Sequence, residues 1–235
     1  MKTVEWHDVQ GIVLSGYPML PASAYLLWRF LPGTSPAARE WLGHLSERLT
    51  SAGDSGEHRS SRRVAYNLRM LKQAKDSDVV AINLALTMTG LQHLGVDQNA
   101  LMKFSLEFQE GMSPEPSAPS ETPRRSHLLG DTGASSPEYW DWGGWTTNRK
   151  IDGMLLLYAA NPDALKALVE SEITAMNGIA EPVLPPSAPD GLPVLKGHIQ
   201  NDLKEHFGFA DGISQPMIEG SPKMTRMAAK RKAAL

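Results

Sequence analysis

Two stretches of this 235-residue chain repeat one order of signals, and the repetition restricts the folds open to it more than any single residue does. Tyr25–Leu31 is aromatic and aliphatic and stops at Pro32-Gly33, which reads as a strand. Ser35 then stands where a helix cap is wanted, with Pro36 at the first helical position, where a missing N–H costs nothing. Ala38, Trp41, Leu42, Leu45 and Leu49 recur at three- and four-residue spacing, so the helix is predicted to run to about Thr50. His44 and Arg48 fall off that stripe and are expected to be solvated. Asp78–Met88 is predicted as a second strand, with Ile82, Leu84 and Leu86 on one side. Further on, Asp152–Ala160 reads as a strand, and Asn161-Pro162 repeats the cap followed by proline. Leu165, Leu168, Val169, Ile173 and Met176 form the inward face of the helix that follows. An extended piece, Val183-Leu184 or Leu192–Leu195, closes the second unit. A β-α-β order twice over buries both helices on one face of an antiparallel sheet, so the expected class is α+β, a ferredoxin-like split β-α-β with long irregular loops.

Between the two units the signals are weaker. Residues 51–63 read as a mobile loop and 64–73 as a short helix. Thr89–Gly95 is expected to end the second strand, with His93 at a turn or on the surface. Gln98–Glu110 is predicted as one helix burying Leu101, Phe104 and Phe108. Met112–Pro123 turns to Pro, Ser and Glu, a composition that cannot bury a core, so a mobile loop is expected over about 111–128. Trp140, Trp142 and Trp145 put three of the six tryptophans in one loop. Rings packed over a sheet edge are the preferred reading; a relay of electrons to the surface is the alternative.

Composition narrows the chemistry. Hydrophobic content of 41% and charged content of 21% are those of an ordinary globular protein. A net charge of -3 gives no broad basic field for nucleic acid. No apolar run approaches the about 20 residues that span a bilayer, and the first residues lack a signal-peptide core, so a cytoplasmic protein without a membrane role is expected. Cysteine is absent, which excludes disulfides, thiolate haem ligation and cysteine-based zinc or iron–sulfur sites.

The stretch richest in chemistry is His206-Phe207-Gly208-Phe209-Ala210-Asp211-Gly212-Ile213-Ser214-Gln215-Pro216. Glycines on either side of a carboxylate let the backbone turn sharply and approach a ligand. Phe209 and Ile213 would give Asp211 partly dry surroundings, raising its pKa and suiting it to proton transfer. Taken by spacing alone, Asp-Gly is an ordinary turn dipeptide.

Gly208-Phe209-Ala210-Asp211-Gly212 with its flanks resembles the GxxDG signature of the dye-decolorizing (DyP-type) haem peroxidases, and the tryptophan loop resembles the same pattern. The resemblance implies two ferredoxin-like halves in a whole family member, heme b as cofactor, hydrogen peroxide as oxidant and a small aromatic or dye-like reductant. It implies that Asp211 is the distal catalytic acid and base, and that Gly208, Phe209, Gly212 and Ile213 let the loop lie against the haem edge. It covers about the N-terminal half of a family member. The family's proximal histidine lies well downstream of the motif, and no histidine follows His206 here. Haem binding is therefore expected to be weak or absent unless another chain supplies the missing C-terminal half, and the partner expected is either that half or a second copy in a homo-oligomer. The expected organisation is a ferredoxin-like domain over 1–197, a distal haem-side loop over 198–222 and a basic, disordered tail over 223–235, possessing Arg226, Lys230, Arg231 and Lys232.

Two other readings compete. One is a non-catalytic ferredoxin-like fragment or oligomerisation module that associates through an exposed sheet. The other is a metal site from His198, Asp202, His206 and Asp211, the first three at helical spacing of four. Gly197 and the glycines after His206 argue against a long helix there, so no metal ligand is assigned.

Overall fold

The structure is a computed structural model that describes residues 4–14, 16–17, 20–52, 79–112, 116, 123–145, 150–186, 190–198, 204, 206–209 and 218–219. Strand β1 is Ala22–Phe30, followed by helix α1, Ser35–Ser46. Strand β2 is Val80–Leu86, and four short helices follow: α2 Met88–His93, α3 Gln98–Leu101, α4 Leu106–Glu110 and α5 Arg124–Leu129. Strand β3 is Gly153–Ala159, helix α6 is Pro162–Ala175, and the short strands β4 and β5 are Ala180–Pro182 and Leu195–Lys196. Among the described residues no helix is long and apolar enough to cross a membrane.

The sheet runs β2-β3-β1-β4, every pair antiparallel. That is the order a split β-α-β requires, since each unit's second strand is separated from its first by a strand of the other unit. Register is set by the pleat: Leu26 lies opposite Leu155, and Leu84 opposite Leu155 on its other side. Ala24, Leu26, Trp28 and Phe30 of β1, Leu155, Leu157 and Ala159 of β3, and Ile82 of β2 share one face. Trp41 and Leu45 of α1 with Leu165, Leu168 and Val169 of α6 cover it. Both predicted helical stripes are thus the buried ones. The fourth strand position is divided: β4 pairs with Trp28–Phe30 and β5 with Ala24 and Tyr25, so both candidates for the closing strand lie along β1, each displaced in sequence from its expected position.

Several local expectations are corrected. Ser35 does not cap α1; Thr34 is the N-cap, and its hydroxyl donates to the carbonyls of Leu31 and Ile179. Thr89–Gly95 is not simply a strand end, because the Thr87 side chain accepts from Gly90 N–H and starts α2. His93 is more than a turn residue: its ring stacks on Phe30 with centroids 4.4 Å apart and planes 13° from parallel. The helix predicted over Gln98–Glu110 is two helices, because the Ser105 hydroxyl captures Phe108 N–H and begins a new one. Leu101 is buried as expected, whereas Phe104 is exposed and pairs with Phe108 at 4.7 Å. Helix α5 takes up the end of the stretch expected to be a loop. The predicted helix at 64–73 lies outside the described residues.

The outer edge of β2 is covered by side chains. Gln10 donates through Nε2 to the Leu84 carbonyl at 2.8 Å and accepts from Leu84 N–H at 2.7 Å. Thr50 N–H donates to the Ile82 carbonyl at 2.9 Å, and its hydroxyl accepts from Ile82 N–H at 3.1 Å. Both residues imitate a neighbouring strand, which removes the groups on which a second chain would add. On the sheet face away from α1 and α6, Tyr17, Leu20 and Ala81 form a smaller cluster, with Tyr17 OH donating to Asn83 Oδ1 at 2.8 Å.

Candidate functional site

The glycine-flanked segment follows β5. Gly197 N–H donates to the Ser23 carbonyl at 2.9 Å, which fixes the start of the segment to β1. His198 and His206 then face one another, rings 6.3 Å apart between centroids and 22° from parallel. Gly208 has φ +88°, and a Cβ there would meet nothing within 4 Å, so the turn needs glycine for its backbone angle and not for space. Phe207 and Phe209 are 85% and 68% exposed. Asp211, Gly212 and Ile213, and the Asp202 of the alternative metal reading, lie outside the described residues.

Two features escaped the sequence reading. Glu172 is wholly buried on α6, with one carboxylate oxygen paired with Arg48 and the other, Oε2, without a hydrogen-bond partner among the described residues. Its signal was available, since 172 falls four after Leu168 and three after Val169 on the apolar stripe. Arg48 is exposed, as expected, and its guanidinium reaches that carboxylate. The other feature is a cavity of about 280 Å³ between the start of β1, α6 and the 190–197 stretch, walled by Ala22, Leu165, Val169 and Val194. Asp190, on its rim, is held below the ordinary carboxylate range chiefly by the hydrogen bond from Lys196.

The tryptophan loop is built on two 3₁₀ turns, with the Trp140 indole donating to the Ser135 carbonyl at 2.9 Å and Trp142 39% exposed. That bond orients one ring along its own loop.

Haem is the cofactor the resemblance implies, and the described residues fit one wall of a haem site but not the whole. Gly208 in a left-handed turn beside outward-facing Phe207 and Phe209 is an apolar surface against which a flat ring could rest. Among the described residues no histidine lines the 280 Å³ cavity, and His198 and His206 are exposed with their rings stacked.

The architecture is that of a ferredoxin-like α+β protein. No protein-family model matches the chain, and no curated protein matches it either. Solved structures do. The DyP-type peroxidase of Anabaena sp. superposes with a TM-score of 0.65 at 20% identity, over 96% of this chain and 42% of that one. A fungal DyP-type peroxidase from Auricularia auricula-judae gives 0.59 at 18% identity, over 94% of this chain and 40% of that one. A dye-decolorizing peroxidase in complex with 2,6-dimethoxyphenol gives a TM-score of 0.54 at 20% identity, over 92% of this chain and 40% of that one. The chain thus has the fold of the DyP-type peroxidases across about two fifths of their length, in agreement with a resemblance expected to cover one half.

Proposed function

We propose that this chain forms the distal side of a haem-dependent DyP-type peroxidase in the cytoplasm, reducing hydrogen peroxide while oxidising a small aromatic or dye-like compound. The observation that carries the reading is the left-handed Gly208 inside the family-like motif, on a chain with the fold of these peroxidases. A structural neighbour holding 2,6-dimethoxyphenol supports the aromatic class of reductant.

Bound haem would supply the iron chemistry that splits the peroxide O–O bond. This chain's part is to place a carboxylate and to exclude water. Asp211 is the group able to take a proton at its carboxylate and return it to the departing oxygen. Gly208 and Gly212 keep the backbone free of Cβ atoms where the loop lies against the cofactor, and Phe209 and Ile213 shield its edge. The unassigned proximal ligand comes from the part of a peroxidase that this chain does not match, so the organisation over 1–197, 198–222 and 223–235 is read as domain, distal loop and tail.

The test is haem titration of the purified chain, alone and with the remaining part of a DyP-type peroxidase supplied as a second chain. A Soret band with peroxide-dependent dye oxidation in the mixture supports the reading. A mixture that takes up haem without turnover, or takes up none, rejects it.

A second reading, a non-catalytic module, is favoured by the exposure of Phe207 and Phe209. With the β2 edge closed by Gln10 and Thr50, self-association would use this apolar end instead of an open sheet. Sedimentation of Phe207→Ser/Phe209→Ser beside the parent chain separates the two readings, since only the module loses its sole activity with its oligomer.

A further inference from the structure

We propose that the cavity between the start of β1, α6 and the 190–197 stretch binds a medium-chain aliphatic monocarboxylate, its hydrocarbon chain inside and its carboxylate on the Lys166 ammonium at the mouth. The inference stands apart from the peroxidase reading, because the site lies within this chain and needs no haem.

The walls are aliphatic. Ala22, Leu165, Val169, Leu192 and Val194 surround the space, and among the described residues no aromatic ring lines it. The last four are all buried, so the cavity is a narrow cleft that admits a chain of methylenes and not a flat ring. Its volume of about 280 Å³ holds about nine groups the size of a water molecule, which makes a chain of about eight carbons the longest that fits. A pocket with a largely apolar lining orients its ligand through a few polar groups. Here the charged ones are Lys166, Lys196 and Asp190. Lys196 is committed to Asp190, which also accepts from Leu192 N–H at 3.4 Å, so this pair pins the outer wall and its charges cancel. Lys166 is held less firmly: its carboxylate partner, Glu170, stands at 3.9 Å, and both side chains are about half exposed. Such a surface pair contributes little and is readily exchanged for a ligand carboxylate. The excess charge at the mouth is therefore positive, which selects an anion over an amine or an alcohol.

The test is calorimetric titration of the purified full chain with hexanoate, octanoate, decanoate and octan-1-ol, with methyl NMR to locate the ligand. Affinity should rise about fourfold per added methylene from hexanoate to octanoate, as burial of each CH₂ requires, and stop rising at decanoate. Octan-1-ol should bind about tenfold more weakly than octanoate, for want of a bond to a charged group, and Lys166→Met should bring octanoate down to the same level. Lys166 is on the helix surface, so that variant keeps the fold. Ala22→Leu fills the cleft and should abolish binding, with circular dichroism confirming that the chain is folded. In the parent chain the methyl signals of Val169 and Val194 should shift on octanoate addition. The proposal is overturned if octanoate does not bind at millimolar concentration, if affinity ignores chain length, if octan-1-ol binds as well as octanoate, if Lys166→Met titrates like its parent, or if the shifted methyls lie away from the cavity.

Discussion

The carboxylate of Glu172, wholly buried on α6, is paired with the half-exposed guanidinium of Arg48 just beyond α1. The pair joins the two helices that cover the sheet, one from each β-α-β unit. Removing Arg48 leaves a buried carboxylate whose Oε2 already lacks a partner among the described residues, so the penalty is that of an uncompensated charge. Arg48→Ala should cost about 2–3 kcal/mol in urea unfolding, below the usual range for fully buried pairs because water screens the exposed guanidinium. The double variant Arg48→Met/Glu172→Met should recover most of the loss. A double variant no more stable than Arg48→Ala would mean the helices are held by packing alone.

Trp28 and Gly153 face each other across β1 and β3, and a Cβ on Gly153 would lie 2.2 Å from Trp28 Cζ2. Trp28 has no exposed surface and also packs edge-on to Trp41 at 5.3 Å, so its ring has nowhere to move. Gly153→Ala should destabilise by about 3 kcal/mol or more through overpacking, and Trp28→Phe placed beside it should restore part of that. Denaturant midpoints of the single and double variants check the coupling.

Gln10 occupies both the donor and the acceptor of Leu84 on the edge of β2. Gln10→Val keeps a strand-compatible residue but leaves that N–H and C=O bare, at about 1–3 kcal/mol for the unsatisfied groups. The freed edge should also raise the oligomeric fraction in sedimentation velocity at high protein concentration. A monomeric variant of parental stability would show that Thr50 protects the edge unaided.

The paired helices were legible because each begins with a polar residue and a proline and then repeats apolar residues at helical spacing, signals that operate within a dozen residues. Trp41, Leu45, Leu165 and Val169 all went inward as their spacing required. What escaped depended on competition or on distance. Ser105 and Thr87 stole backbone donors and reset helix boundaries, which a pattern of apolar residues does not record. Gln10 meets Leu84 across 74 residues, and no local signal marks such a partner. The site was legible only through its resemblance to a family; the residues themselves gave a turn with a carboxylate in it.

Tyr158 lies on the sheet face that α1 and α6 do not cover, its ring 4.9 Å from that of Tyr17. Burial first, and then the neighbouring Tyr25, push its phenol well above the ordinary value. A raised pKa means the neutral form is favoured on folding. The associated stability is fully present below the unfolded value of about 10 and is lost as pH rises from there through the folded value. Tyrosinate absorbance should therefore show a late-titrating phenol that disappears in Tyr158→Phe. If that variant titrates like its parent, the burial assigned to this ring is wrong.

Gly208 and Asp211 can be separated by what each substitution should disturb. Gly208→Ala places a Cβ at φ +88°, where an L-residue is strained by about 1–2 kcal/mol even with open space around it. In the haem-loaded mixture that strain should displace the loop, weakening haem uptake as well as turnover. Asp211→Asn keeps size and backbone but cannot accept the proton, so haem uptake should be unchanged while peroxide-dependent dye oxidation falls about 10²-fold or more. The Soret titration and the initial rate, measured on both variants, decide between a positioning and a chemical role. Unchanged turnover in Asp211→Asn removes the carboxylate from the reaction, and equal loss of haem in both variants would make the whole turn a structural element instead of a proton-handling one.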